Sequence, residues 1–304
     1  MLEILGKTSI DFMEWRRYSF AISSVFMVLG IIALVQIARG AANLGIDFAG
    51  GTAVQLKFER PISIEQAREV LVRHGWSDIE LQDFTAENKL LIRMKAQATI
   101  EEKIAERVIE TMKQEFPQNA FVVESSTEIG PTIGQKLRND ALIAIIISMS
   151  GIIVYIAARF EFRFGVAAAI ATLHDVLAVL GIFYLLDKEI TLLLVTALLT
   201  LAGYSLTDTV VVFDRIRENL RVRRRETFDV VINNAINQVL SRTVVVSLTV
   251  ILVLIPLTVA GGEVLHDFSL ALLVGVMIGT YSSVFVASPL LVLWKTPSKL
   301  VTRK

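Results

Sequence analysis

Cysteine is absent from the 304 residues, so no disulfide can staple any part of the chain that lies outside the cytoplasm. Each soluble segment must be held by its own packing. A nucleotide-binding loop is missing as well: the Gly50-Gly51 and Gly261-Gly262 pairs lack the Gly-x-x-x-x-Gly-Lys-Ser/Thr pattern, so energy for any work comes from elsewhere. There is no excess charge of either sign, with 30 basic and 30 acidic residues. Low-complexity stretches and short tandem repeats are also lacking. Nothing in the sequence reads as an enzyme active site, a metal centre or a cofactor site.

Long apolar runs are what the chain does have. It is 54% hydrophobic with a mean hydropathy of +0.60, more than a soluble core of this size needs. Six segments are long enough to cross a hydrocarbon core of about 30 Å as helices. They lie near Tyr18–Ala38, Ala141–Ala158, Phe164–Leu186, Ile190–Phe213, Thr243–Ala260 and Phe268–Leu293. The first is too long for a signal-peptide core and no small-residue cleavage site follows it, so it reads as an uncleaved anchor. With the N-terminus placed in the cytoplasm, the short inner segments carry sixteen Lys/Arg. These are Lys7, Arg16, Arg17, Arg159, Arg163, seven arginines from Arg215 to Arg242, and Lys295, Lys299, Arg303 and Lys304. The outer flanks carry four, Arg39, Lys136, Arg138 and Lys188. This bias predicts a multi-pass membrane protein with both termini cytoplasmic. The arginine-rich stretch from Arg215 to Arg225 abuts a span and reads as a topology anchor facing anionic lipid headgroups, not as a nucleic-acid site.

Between the first two spans lie about 100 residues of soluble patterning. Thr52–Glu59 alternates Val54, Leu56 and Phe58 with Gln55 and Lys57, and Ser63 opens a helix with Gln66 three residues on. Ile79–Phe84 and Lys89–Met94 read as strands around Glu87-Asn88, Thr99–Phe116 as a helix, and Ala120–Thr127 as a last strand. The order βαββαβ predicts a ferredoxin-like α+β module. The expected fold class is an α-helical membrane protein of six transmembrane helices with one periplasmic α+β ferredoxin-like domain. Its expected organisation is 1–38 for the N-terminus and first span, 39–138 for the periplasmic domain, 139–294 for spans two to six with a basic cytoplasmic loop at 214–242, and 295–304 for a cytoplasmic tail.

Several motifs stand at mechanically or chemically special places. Gly45, Asp47, Gly50 and Gly51 mark a turn between membrane and soluble module, and Gly130, Pro131 and Gly134 mark the return, with Gln135 leading into the second helix. His174-Asp175 falls near the middle of the third span, where ionisable groups usually face a bundle interior or a watery path. In the fourth span Tyr204 and Asp208 share a face, while Thr200, Gly203 and Thr207 form a neighbouring stripe suited to close helix contact. An intramembrane carboxylate can take up and release protons, and Arg242 at the inner end of the fifth span is a candidate partner. Proton-relay candidates are therefore Asp208, Arg242, His174, Asp175 and Tyr204. In the sixth span Gly275, Gly279, Ser283 and Ala287 are four apart, a small-residue packing stripe. One six-helix set with one insertion suggests half of a transporter.

Taken together, the runs at 45–51 and 129–134, His174-Asp175, Gly203-Tyr204-Ser205 through Asp208, Asp214 to Asn219, and Ser241-Arg242-Thr243 resemble the SecF family, in the resistance-nodulation-division superfamily. The resemblance implies a subunit in the bacterial inner membrane that pairs with SecD and joins SecYEG, with YajC as a further partner. Proton flow then promotes late steps of preprotein translocation, with no cofactor. It maps the family's proton-conducting Asp and Arg onto Asp208 and Arg242. Thr207 departs from the Asn usual there. Membrane lipids are expected contacts and nucleic acid is not. The competing expectations are a passive scaffold that steadies the translocon and a small-molecule efflux permease.

Overall fold

The computed structural model describes residues 8–76, 79–84, 87–95, 103–223 and 225–293. The expected tail at 295–304, Lys7, Arg224 and the first residues of the helix expected from Thr99 lie outside the described residues. Two compact units emerge, Leu44–Ile143 and the remainder of the chain.

The smaller unit contains a four-stranded antiparallel sheet. β1 (Gly51–Phe58), β2 (Ile79–Phe84), β3 (Lys89–Lys95) and β4 (Phe121–Ile129) lie in the order β2-β3-β1-β4. Two amphipathic helices cover one face because their apolar positions recur at helical spacing. α3 (Ile64–Arg73) buries Ala67, Val70 and Leu71, and α4 (Ile104–Glu115) buries Ala105, Val108 and Met112. These meet Val54, Leu56, Phe58, Leu90 and Ile92 in one apolar core. Ser63 caps α3 by accepting from the Gln66 amide at 3.2 Å. A β-bulge between Gln55 and Leu56 leaves Glu124 without an opposite residue, and its carboxylate meets Lys89 Nζ at 3.1 Å. The sheet order and alternation are those of a ferredoxin-like module.

The larger unit is helical, although the short helix before β1 and the first residues of the second long helix belong to the smaller one. α1 (Arg16–Ala38), α5 (Pro131–Arg159), α6 (Phe162–Leu185), α7 (Leu192–Val222), α8 (Phe228–Ala260) and the composite 265–293 are six helices long and apolar enough to cross a membrane. The short α2 (Ile46–Ala49) precedes β1. The last span is composite: α9 (Gly262–Ser282), a π-helical turn (Ser283–Ala287) and α10 (Ser288–Leu293). Burial is uneven, since most of α6 is enclosed whereas α1, α5 and α8 leave most of their apolar surface outward. That pattern suits lipid on the outside of α1, α5 and α8. Glycines set the closest crossing: a Cβ on Gly181 of α6 would stand 2.7 Å from the Gly30 amide of α1, and one on Gly30 would stand 2.3 Å from the Leu177 carbonyl. Only the missing side chains allow these backbones to touch.

Two expectations need correction. Residues 214–242 are not a loop: α7 runs to Val222 and α8 starts at Phe228, so only 223–227 connect them. Charge ended the apolar run but not the helix, because Arg215 and Glu218 pair three residues apart on α7 and Ile216, Ile232, Ala235 and Ile236 are buried in the bundle core. The helix of the second span likewise begins at Pro131, ahead of Gln135. The Gly130 carbonyl accepts from the Ile133 and Gly134 amides, and proline, which has no amide hydrogen to satisfy, suits the first helical position.

Candidate functional site

Polar groups converge where α6, α7, α8 and α9 face one another. Hydroxyls are spaced along the inner faces of these helices, so an apolar bundle encloses a polar seam. Asp175 on α6 is wholly buried and has three donors. His174 Nδ1 is 2.9 Å from Oδ1, while Ser205 of α7 and Ser282 of α9, the latter at 2.7 Å, donate to Oδ2. One carboxylate thus ties three helices together. His174 is 1% exposed, and its Nε2 has no partner.

Asp208, one turn beyond Ser205 on α7, differs. It is 9% exposed, it faces the Thr243 hydroxyl of α8 and the Ser283 hydroxyl of the π-helical turn, and yet its Oδ2 accepts no hydrogen bond. Ser283 donates instead to the Thr280 carbonyl at 3.0 Å, and Thr243 Oγ1 is unpartnered. Arg242 is exposed and forms no ion pair with Asp208 among the described residues; its charge acts on the carboxylate only from a distance. Tyr204 extends the seam, donating to Ser247 at 3.4 Å, and Ser247 meets Thr280 at 2.6 Å. Thr207 turns away, donating to the Gly203 carbonyl at 3.0 Å on an exposed face.

Small residues let these helices approach. A Cβ on Gly275 would stand 2.5 Å from Leu201, and one on Gly279 would stand 3.2 Å from the Ser205 Cβ. Ser283 and Ala287 are fully buried in the same span. Ser205, Thr243, Ser247, Thr280 and Ser282 complete the seam; Ser205 and Thr243 belong to motifs named from the sequence, whereas Ser247, Thr280 and Ser282 read there only as hydroxyls inside apolar helices. Their signal was the four-residue spacing of Thr243 and Ser247. Among the described residues no group of three or more His, Asp or Glu could hold a metal ion. A groove of about 650 Å³ lies elsewhere, lined by Asp11, Arg16, Arg17, Tyr18, Asp229 and Asn233, and contains no member of the carboxylate seam.

The glycine motifs meet one another inside the smaller unit. Gly45 precedes α2, and Asp47 lies in its first turn. Gly50 and Gly51 have φ of +74° and +144°. A Cβ on Gly50 would crowd the Ile129 carbonyl and Pro131 at 3.2 Å, and one on Gly134 would stand 3.0 Å from the Gly50 amide. Two motifs about 80 residues apart thus form a single joint, with Gly130 and Pro131 at its edge.

Comparison with known proteins matches this arrangement. Residues 108–297 fit the family "Protein export membrane protein SecD/SecF, C-terminal", and residues 42–62 fit the "SecD/SecF GG Motif". The Protein translocase subunit SecF of Thermodesulfovibrio yellowstonii is 50% identical over 96% of this chain and 97% of its own. That of Calditerrivibrio nitroreducens is 38% identical over 97% of each. The crystal structure of SecDF, a translocon-associated membrane protein from Thermus thermophilus, superposes with a TM-score of 0.81 at 36% identity, covering 95% of this chain. The chain spans only 39% of that larger protein. A second SecDF structure, in a super-membrane-facing form, has a TM-score of 0.69 over 96% of this chain and 39% of its own. On the motifs, the six helices and these relatives, the chain belongs to the SecF family of protein translocase subunits.

Proposed function

We propose that this chain acts in Sec protein export as one half of a proton-driven device, with a SecD-type subunit supplying the other half. The chain corresponds to about two fifths of the fused SecDF protein, which supports a partner of that kind. In this reading it joins SecYEG in the bacterial inner membrane, with both termini cytoplasmic and 39–138 periplasmic. YajC, lipids and translocating preproteins are further contacts. It works as a transporter subunit and not as an enzyme.

Asp208 carries the reading. An Asp in a membrane helix costs up to about 2.5–3.5 kcal/mol, the value at the helix centre, whereas an interhelical hydrogen bond in a membrane returns about 0.6 kcal/mol on average. Asp175, with three donors, recovers much of its burial as polar glue. Asp208, with one oxygen unpartnered, recovers less, so a structural role alone leaves part of its burial uncompensated. A proton carrier needs such a group. Asp208 takes up and releases the proton, the Arg242 charge acts on it from a distance, and His174, Asp175 and Tyr204 hold the surrounding helices. Export driven by an imposed proton gradient in vesicles tests this. Asp208→Asn keeps size and hydrogen bonding and is expected to abolish the gradient-dependent part. Full activity in Asp208→Asn would leave a passive scaffold as the better account. Arg242→Gln is expected to impair the same step, and wild-type export in Arg242→Gln would remove Arg242 from the mechanism.

A further inference from the structure

Asp175 and Asp208 are not in contact, but consecutive residues of the last span reach one each. Ser282 has two acceptors for its single proton, Asp175 Oδ2 at 2.7 Å and the Gly279 carbonyl at 3.2 Å. Ser283 donates to the Thr280 carbonyl at 3.0 Å, stands in the π-helical turn that packs against α7, and lies within reach of the Asp208 carboxylate on that helix. Both serines are fully buried. They stand where α9 gives way to the π-helical turn Ser283–Ala287, and Ser288 Oγ donates to the Ser283 carbonyl at 2.8 Å across that turn. A π-turn is a rare, wider loop of helix that recurs at functional sites.

We infer that Ser282 and Ser283 are positioning residues that couple the two buried carboxylates, Ser283 swinging its hydroxyl from Thr280 to Asp208 when Asp208 is charged while Ser282 anchors the turn to Asp175. The inference rests on Asp208 being the proton carrier. In the arrangement seen here Ser283 bonds within its own helix and Asp208 Oδ2 has no donor. Loss of the proton from Asp208 creates an acceptor strong enough to draw the hydroxyl across, because hydrogen bonds to charged groups are roughly twice as strong as neutral ones. The swing frees the Thr280 carbonyl at the mouth of the π-turn. Since Ser282 is pinned to Asp175, and Asp175 to α6 and α7, the change is passed to the helix bundle and not dissipated in one side chain. Among the described residues, the other groups acting on Asp208 are the Arg242 charge and the Thr243 hydroxyl from α8; α6 contributes Asp175, which bonds Ser205 and Ser282, and His174, which bonds Asp175.

The test is the pH profile of gradient-driven export in vesicles holding the full chain with its SecD-type partner and SecYEG. Ser283→Ala removes a donor to the carboxylate and is expected to move the half-maximal point by about one pH unit to higher pH. Ser282→Ala, which does not touch Asp208, is expected to move it in the same direction by less, and to add nothing in a Ser283→Ala background. Ser283→Cys, close in volume and a weak donor, is expected to fall between Ser283→Ala and wild type, and serves if the alanine variant accumulates poorly. A lower maximal rate with an unmoved midpoint in these variants would reduce the serines to packing and overturn the inference. Additive shifts in the double variant would break the coupling. Failure here is separable from failure of the underlying reading: Asp208→Asn inactive beside a wild-type profile in Ser283→Ala sinks the coupling alone, whereas active Asp208→Asn sinks both.

Discussion

Gly51 sits at φ +144°, and a Cβ there would stand 2.2 Å from the Met94 carbonyl, so it is glycine for two separate reasons. Gly75 has a φ of +92° and open space around it, hence only one. Backbone strain of this kind costs about 1–3 kcal/mol. Gly51→Ala adds displacement of β3 to that strain, so it should lower the thermal stability of the purified chain clearly more than Gly75→Ala. Protease resistance of the 44–143 unit on heating measures the difference. Equal midpoints for the two variants would show that the close approach to Met94 is relieved without loss. At this scale the sequence named Gly50, Gly51, Asp208, Arg242 and His174-Asp175 but could not apportion their work. Whether a buried carboxylate has three donors or an unpartnered oxygen depends on serines from other helices, and hydroxyls inside apolar runs carry no distinguishing pattern.

Helices α1 and α6 meet through Gly30 and Gly181, whereas Gly151 on α5 faces outward with nothing within 4 Å of an added Cβ. Overpacking a tight contact costs typically about 1–3 kcal/mol. Gly181→Leu must push α1 away, and it should cut the yield of monodisperse protein in detergent several-fold, while Gly151→Leu leaves it near wild type. Size-exclusion profiles decide this, and matched profiles would refute the close crossing. Element ends were the least legible feature. Apolar runs mark where lipid ends, not where a helix ends, which is why α7 and α8 continue through charged sequence. The first residues follow the same logic. Asn233 Oδ1 and Asn237 Oδ1 accept from the backbone amides of Met13 and Ile10, and Phe12 and Met13 are buried in the bundle core, contacts that no local pattern in residues 8–15 announces.

The whole molecule lends itself to labelling because it lacks cysteine. The proposed orientation, which rests on the sixteen-to-four basic bias, has the module between α1 and α5 outside and the α7–α8 connection inside. Gln118 and Arg225 are both exposed. A membrane-impermeant thiol reagent added to intact cells should modify Gln118→Cys and spare Arg225→Cys, and the opposite pattern would invert the topology.

The sequence alone determined the number of spans, the βαββαβ order of the module, the family and the identity of the charged residues inside the membrane. Each follows from local information: run length, alternation, and the rarity of a carboxylate in an apolar helix. Tertiary structure decided what those carboxylates touch. Ser205 lies 30 residues from Asp175, and Ser282 lies 107. Their meeting depends on Gly275 and Gly279 letting α9 against α7, and on a π-turn that places Ser283 before Asp208. Hydrogen bonds between helices are set by crossing distance and rotation, quantities that the packing of the bundle fixes and that no single segment encodes.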